Sequence, residues 1–345
     1  MLDKITICIK TVVNTVSILI STKNRFKDLK ECIDSIIIQT VKPNEIILVD
    51  ASDDNKSMEL VKELLVNEGI KYTYYRQEVI NGKIMKTATW NKVVKLALGN
   101  IIIFLDDDVV LDKEYINYML KPYPDSPGNI VGVMGRTKGP NYDDETREVL
   151  SMLPSLHKVF RKLFLLPSHN GSGVIQSSGF PAYPSPGNGI IPVEIMPTGN
   201  MSIRKEVFHE FAFDEWFSGY SYQEDDDFTY RVSRKYGFLY TPFACLVHKK
   251  SSKGRDSTEI LETMKVVNHY YFFKKNMPKT LKNCLAFAWS EFGLLFLRFF
   301  SFSSIKEFSL SFIGLTAWGN LPMIKARISG YYRILQSMVL KKDIE

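Results

Sequence analysis

The sequence predicts an α/β chain built on a mainly parallel sheet flanked by helices, followed by a basic, apolar helical region. Three observations predict it. Short β-rich runs alternate with helical patterns through the first hundred residues, polar clusters close three of those runs, and the charge balance changes sign near residue 249. Alternation at this pace is what right-handed βαβ units produce, and in open sheets of that kind ligands gather at the carboxyl ends of the strands.

Taken in order, VSILIS (Val16 to Ser21) is the first strand, and Phe26, Leu29, Ile33, Ile36 and Ile37 then share one face of a helix. Pro43 breaks the chain before EIILVD, the second strand. Leu60, Val61, Leu64 and Leu65 mark a second helix and IKYTYYR a third strand. A third helix spans about Ile84 to Leu98, and IIIFLDDD is the fourth strand. From Lys121 to Pro192 the chain is rich in Pro, Gly and Ser and reads as loops, with one helical stretch between about Asp144 and Leu166. PTGNMSIRK then reads as a polar turn ahead of a helix at Arg204, and FACLVH is a further strand ending in His248. The expected division is 1–120, 121–250 and 251–345.

With 45% hydrophobic and 24% charged residues in 345, the composition is that of a folded globular chain and not of a disordered one. The four cysteines, Cys8, Cys32, Cys245 and Cys284, are dispersed and form no zinc-type spacing, so a reducing, cytosolic setting is expected. ITICIKTVVNTVSILIS near the start reads as strand material and not as a leader, because Lys10 and Asn14 interrupt it and no small-residue cleavage site follows.

The net charge of +6 is uneven: from Lys249 on, 16 Lys+Arg face 7 Asp+Glu, leaving the first 248 residues net negative. That basic region contains NHYYFFKKNMPKTLK and two apolar stretches, Leu285 to Phe300 and Leu310 to Leu321. Both stretches fall short of the ~20 apolar residues of a spanning helix. They read as lying on an anionic membrane surface or as packed on the core. No nucleic-acid motif accompanies the basic residues, so nucleic acid is not an expected partner.

The chemistry concentrates at strand ends. STKNR, DASDD and DDD (Asp106 to Asp108) close three predicted strands and converge on one site. Three adjacent carboxylates repel one another unless a cation or hydrogen-bond donors offset the charge, so the triplet points to a metal, the plainer reading being a cap on a turn. DASDD also fits an Asx-rich helix start, and QEDDD fits an acidic helix N-terminus.

VSILISTKNR, Asp50, FLDDD and QEDDDF, in this order between Val16 and His248, resemble the landmarks of family 2 glycosyltransferases of the GT-A fold. The resemblance implies an inverting, metal-dependent transfer from a nucleotide-sugar, with Mn²⁺ or Mg²⁺ as cofactor. It implies that Ser21, Thr22 and Arg25 lie at the nucleobase and that Asp50 accepts a hydrogen bond from it. Asp106 would meet the ribose or share the metal, Asp108 would bind the metal with His248 as third ligand, and Asp107 would border the donor. NGKIMKTATWN is similar to a family segment in which Asn81 and Gly82 shape a loop, Lys83 or Lys86 meets phosphate and Asn91 follows. Trp90 stands where that segment has an Arg. Gly199 and Asn200 would lie near the donor sugar, and Lys253 and Arg255 would close over the diphosphate. Asp225 matches the family's general base with Glu224 beside it, and Asp227 the position that begins a helix.

The QxxRW motif of processive synthases is missing, so transfer of one sugar, or a few, is expected. The implied acceptor is a glycan or lipid-linked glycan in cell-surface polysaccharide or glycoconjugate synthesis, with peripheral contact at the cytoplasmic face of the membrane. Two other readings stand beside this one. A nucleotidyltransferase normally has a glycine-rich loop after the first strand, which STKNRFKD lacks. A non-catalytic glycan- or membrane-binding protein with a degenerate transferase fold would be favoured by loss of Asp108 or Asp225, and both are present.

Overall fold

A computed structural model of the chain describes residues 14–80, 83–125, 129–139, 154–184, 187, 189–219, 221–251, 257–299 and 316–340. The first part runs β1 (Val16–Thr22), α1 (Phe26–Ile37), β2 (Glu45–Asp50), α2 (Lys56–Leu65) and β3 (Lys71–Arg76). It continues with a short antiparallel pair, β4 (Val79–Ile80) and β5 (Lys83–Ile84), then α3 (Lys86–Leu96) and β6 (Ile101–Asp106). β7 (Val109–Leu111), α4 (Tyr115–Leu120), α5 (Pro122–Asp125), β8 (Ile130–Lys138) and α6 (Pro154–Leu163) follow. Next come β9 (Ser168–Gly171), β10 (Val174–Ile175) and β11 (Pro181–Pro184), which form a separate small sheet. β12 (Ile191–Val193), β13 (Asn200–Arg204), α7 (Glu224–Ser233) and β14 (Gly237–His248) lead to three long helices, α8 (Thr258–Asn276), α9 (Leu281–Phe299) and α10 (Thr316–Leu340).

The main sheet has the order β12-β14-β8-β13-β6-β1-β2-β3, with β7 paired to β14. β6, β1, β2 and β3 are parallel, whereas β13 runs antiparallel to both β6 and β8. Both faces are covered, so the central strands read as continuous apolar runs. Ile18 and Ile20 of β1 pack with Leu29 and Ile33 of α1 on one face. Leu19, Ile47 and Val49 pack with Trp90, Val93 and Val94 of α3 on the other. Each such side chain contributes about 1.5–3 kcal/mol by burial.

The structure departs from expectation after the loop at Pro197. NMSIR forms β13, because Met201 and Ile203 alternate into the core while the Ser202 hydroxyl meets that of Tyr123 at 2.9 Å. The helix expected at Arg204 is only a 3-10 turn, Lys205–His209. Of the helix expected near Asp144 to Leu166, α6 is the described part. The aromatic residues of NHYYFFKK belong to α8, where Phe272 and Phe273 are buried, so that stretch packs on the core. No described helix is long and apolar enough to cross a membrane. The first thirteen residues and 300–315, with Cys8 and half of the second apolar stretch, lie outside the described residues.

Candidate active site

Strand β6 ends on Asp106, and the Asp107–Asp108 turn leads directly into β7, whose Val109 pairs with His248 at the end of β14. That hairpin-like register brings the histidine to the aspartates. The ligand atoms of Asp106, Asp108 and His248 lie within 4.8 Å of one another. His248 Nε2 is 3.1 Å from Asp108 Oδ1 and 3.8 Å from Asp106 Oδ2. Two hard carboxylate oxygens and an imidazole are a donor set that fits Mn²⁺ or a similar divalent ion. Asp107 turns elsewhere: its carboxylate accepts from Thr22 Oγ1 at 2.7 Å and from Arg25 Nη1 at 2.9 Å. The middle aspartate thus fastens β1 and its loop to β6.

Burial opposes the charge on Asp108, but the hydrogen bond and charge of His248, with Arg25 and the Ser251 amide, hold its carboxyl down at about 2. Burial instead pushes Asp107 up to about 6, against the pull of Arg25 and Thr22. Gly199 crosses directly over Asp106, and a Cβ there would collide with Asp106 Oδ2. A side chain at that crossing would therefore displace the Asp106 carboxylate.

Helix α7 opens with four consecutive acids after Gln223, which holds a left-handed backbone (φ 69°). Negative charge in a first turn is favoured by the helix dipole, and each carboxylate has a different partner. Glu224 pairs with Lys86 at 2.8 Å. Asp225 accepts from the Asp226 amide at 2.9 Å and the Thr198 amide at 3.3 Å, and its side chain keeps partial contact with solvent. Asp226 accepts from Tyr183 Oη at 2.9 Å. Asp227 is enclosed by Arg231, Lys275 and Asn276, and the helix begins at Glu224, three residues before the aspartate expected to start it. Burial raises Asp225 and, reinforced by the charge of Asp225, raises Asp226 well above the usual range. Burial also pushes Glu224 up to about 7, with Lys86 offsetting part of the effect.

This has a consequence for stability. Glu224 binds its proton more tightly folded than unfolded, so its stabilising contribution is present below about 4.5 and is lost as pH rises toward about 7. Glu224→Gln is therefore expected to be more stable than the native chain at pH 8 by roughly 1–3 kcal/mol and equal to it near pH 4. Denaturant titrations at the two pH values check this; equal stability at pH 8 would contradict it.

A cleft of about 130 Å³ is bordered by Thr22, Arg25, Gln77, Lys86, the three aspartates and His248. Lys86 links the cleft to α7, because it lines the cleft while its ammonium pairs with Glu224 and lies 4.4 Å from the Trp90 ring centre. Trp90 itself donates its indole N–H to Ser21 at 2.8 Å and packs edge-on against Phe104 and Phe213. Its buried position fixes the end of β1.

Several sequence-selected residues lie away from the opening. Asp50 is fully buried, accepting from the Ser52 amide and Tyr74 Oη, with Arg76 3.6 Å away. Asn91 exchanges hydrogen bonds with the Phe213 backbone, and Asn200 is used by Tyr115, Gly135 and Thr137 within the core. Lys83 is exposed on β5. Asn81, Gly82, Lys253 and Arg255 lie outside the described residues. Gln77, Thr198, Tyr183 and Ser251 are at the site with no spacing signal to find them, since each comes from a loop or a very short strand.

Residues 17–176 match the family model described as glycosyl transferase family 2. That stretch, a little under half of the chain, is similar to family 2 glycosyltransferases. An uncharacterized glycosyltransferase of Rickettsia felis is 32% identical over 106 residues, 31% of this chain and 17% of that protein. A counterpart from Rickettsia conorii matches to the same extent, so the chain spans about a sixth of the length of the curated relatives it matches. A mannosyltransferase from Pyrobaculum calidifontis, solved with GDP-Man and Mn²⁺, superposes with a TM-score of 0.55 at 14% identity, covering 93% of this chain and 88% of that one. GalNAc-T7, solved with UDP, GalNAc and Mn²⁺, gives 0.53 at 15% identity, with 82% and 55% covered. These likenesses show the fold. That fold is of the GT-A type, a curled, mostly parallel sheet between helices.

Proposed function

We propose that the chain is an inverting, metal-dependent, non-processive glycosyltransferase that moves a sugar from a nucleotide-sugar to a hydroxyl of a growing lipid-linked glycan. The observation that carries this reading is the Asp106–Asp108–His248 cluster in the wall of a cleft that Lys86 also lines, with the Lys86 ammonium paired to Glu224 beside Asp225. A divalent ion held by the cluster would supply charge neutralisation for a departing diphosphate. Thr22, Arg25 and Gln77 border the end of the cleft suited to the nucleotide.

The protein's own groups then account for proton and electrons. The acceptor oxygen forms the new bond to the anomeric carbon while the bond from that carbon to the diphosphate oxygen breaks, its electron pair leaving with the diphosphate. The hydroxyl proton passes to Asp225, whose upward-shifted carboxyl is better suited to accept it than an ordinary aspartate. Glu224 and Lys86 position the acceptor side. Peripheral attachment at the cytoplasmic face of a membrane completes the reading, with the donor nucleotide, sugar and linkage to be set by loop contacts.

A thermal-shift panel of UDP-, GDP-, dTDP- and CMP-sugars with and without Mn²⁺ tests the donor site. One nucleotide class should stabilise the native chain in a metal-dependent way, by about 3 kcal/mol at a hundredfold excess over Kd. Asp108→Asn should lose that stabilisation. A well-folded native chain that responds to no donor would sink the reading.

A further inference from the structure

Phe272 and Phe273 of the basic aromatic stretch are buried in α8, and a row of exposed apolar side chains lies on two other helices. On α9, Leu281, Leu285, Trp289 and Phe292 follow one another at intervals of four, four and three residues, the spacing of a single helix face. On α6, Val159 and Leu163 are likewise uncovered, and all six are between 43% and 77% exposed. The two rows are joined. Trp289 Nε1 donates to the Leu163 carbonyl at 2.9 Å, and its ring lies 4.9 Å from that of Phe164. Two helices thus present one continuous apolar strip, centred on an indole whose polar N–H is already satisfied.

We propose that this joined face of α6 and α9 docks on an anionic lipid surface. Charge separates a bilayer from other occupants. Glu291 is the only acidic residue in the sequences of the two helices, and it is turned inward and buried. Lys162 and Lys282 are exposed, and Arg161 adds a further cation in the last turn of α6. An apolar strip bearing Trp and Phe, bordered by cations and lacking exposed carboxylates, matches the boundary between acyl chains and anionic headgroups. A shallow, unbroken row also needs no complementary shape from its partner.

Placement gives the face a use. Phe164 and Leu166, just beyond α6, pack with Phe180, which leads into β11. β11 carries Tyr183, the hydrogen-bond partner of Asp226 beside Asp225. Docking would set the acceptor side of the cleft at a fixed height above lipid, where a lipid-linked sugar can reach Asp225. That purpose rests on the proposed transferase reading, but lipid binding is measured without any transfer reaction.

The test is sedimentation of the full chain with vesicles of phosphatidylcholine alone and of phosphatidylcholine with about a third phosphatidylglycerol. The native chain should partition onto the anionic vesicles and less onto the neutral ones. Leu281→Glu/Leu285→Glu, at two of the most exposed positions, should weaken partitioning about tenfold or more. Its melting temperature and donor-induced thermal shift should match the native chain. Native chain that stays in solution, or a double variant that partitions as well, would overturn the proposal. So would an oligomer in lipid-free buffer that the double variant dissociates, because the strip would then be a protein interface. A donor shift retained while lipid binding fails would leave the transferase reading standing.

Discussion

Asp225→Asn is expected to lower the turnover of sugar transfer by about 10²–10⁴ while leaving the metal-dependent donor shift unchanged. The substitution keeps the shape of the side chain. It removes one of two acceptor oxygens, however, and the native carboxylate uses both, one for the Asp226 amide and one for the Thr198 amide. Unmaking one such hydrogen bond costs about 1 kcal/mol, which the fold tolerates. Removing the charge also relieves repulsion on Glu224 and Asp226, both of which it drives upward. The variant should therefore be folded and donor-competent but unable to accept the acceptor proton. Glu224→Gln should lose less, because Glu224 is paired with Lys86 and acts on geometry. Single-turnover transfer on each variant separates the roles. If Asp225→Asn retained more than a tenth of the native rate, the base would have to be another group. In the native chain the rate should rise with pH as the upward-shifted carboxyls lose their protons, which is the behaviour of a base and not of an acid.

The parts that the sequence made legible are those in which one physical rule acts alone. Val16–Thr22, Glu45–Asp50 and Ile101–Asp106 are apolar runs buried on both faces, and such runs announce themselves by composition. Their ends must meet at one edge of a parallel sheet, which groups Thr22, Arg25, Asp106, Asp107 and Asp108 by sequence alone. His248 was reachable in the same way, as the last residue of a strand. NMSIR was misjudged because its strand character comes from β6 and β8 on either side, a tertiary effect that a five-residue window does not contain. Asn200 looked like a site residue because polar residues beside glycine usually mark turns, whereas three partners bury it. The basic aromatic stretch misled for a related reason. Lys274 is exposed on α8 while Phe272 and Phe273 face in and Lys275 turns to Asp214 and the buried Asp227, and sequence alone does not assign the outward face of a helix whose apolar residues are spread around it.

Glu291→Ala is expected to cost about 3–5 kcal/mol of folding stability at pH 7, the largest loss predicted for a single substitution outside the sheet. Glu291 is buried in α9, hydrogen-bonded to His269 of α8 at 2.6 Å, Arg327 of α10 at 2.7 Å and Tyr331 of α10 at 2.5 Å. Arg327 also meets Glu262 of α8 at 3.2 Å. Removing Glu291 leaves a buried guanidinium with one of its two carboxylate partners gone. Burial opposes the charge on Glu291, but His269, Arg327 and Tyr331 together hold its carboxyl at about 2. A depressed carboxyl stabilises the fold above its unfolded value and loses that contribution as pH falls from about 4.5 to about 2. The difference between native chain and variant should therefore shrink by about 3 kcal/mol over that window, as denaturant titrations at pH 7 and pH 3 would begin to show. A loss below about 1 kcal/mol at pH 7 would mean that desolvation of the network cancels its attraction. The effect should also reach the cleft. His269 is hydrogen-bonded to the Ser178 carbonyl at 3.0 Å and stacks on Phe180 at 3.6 Å, three residues ahead of Tyr183. A loosened His269 frees the strand that positions Asp226, so KM for the acceptor should rise in a milder variant, Glu291→Gln, while the donor shift stays native. An unchanged acceptor KM there would separate the three-helix network from the acceptor side of the cleft.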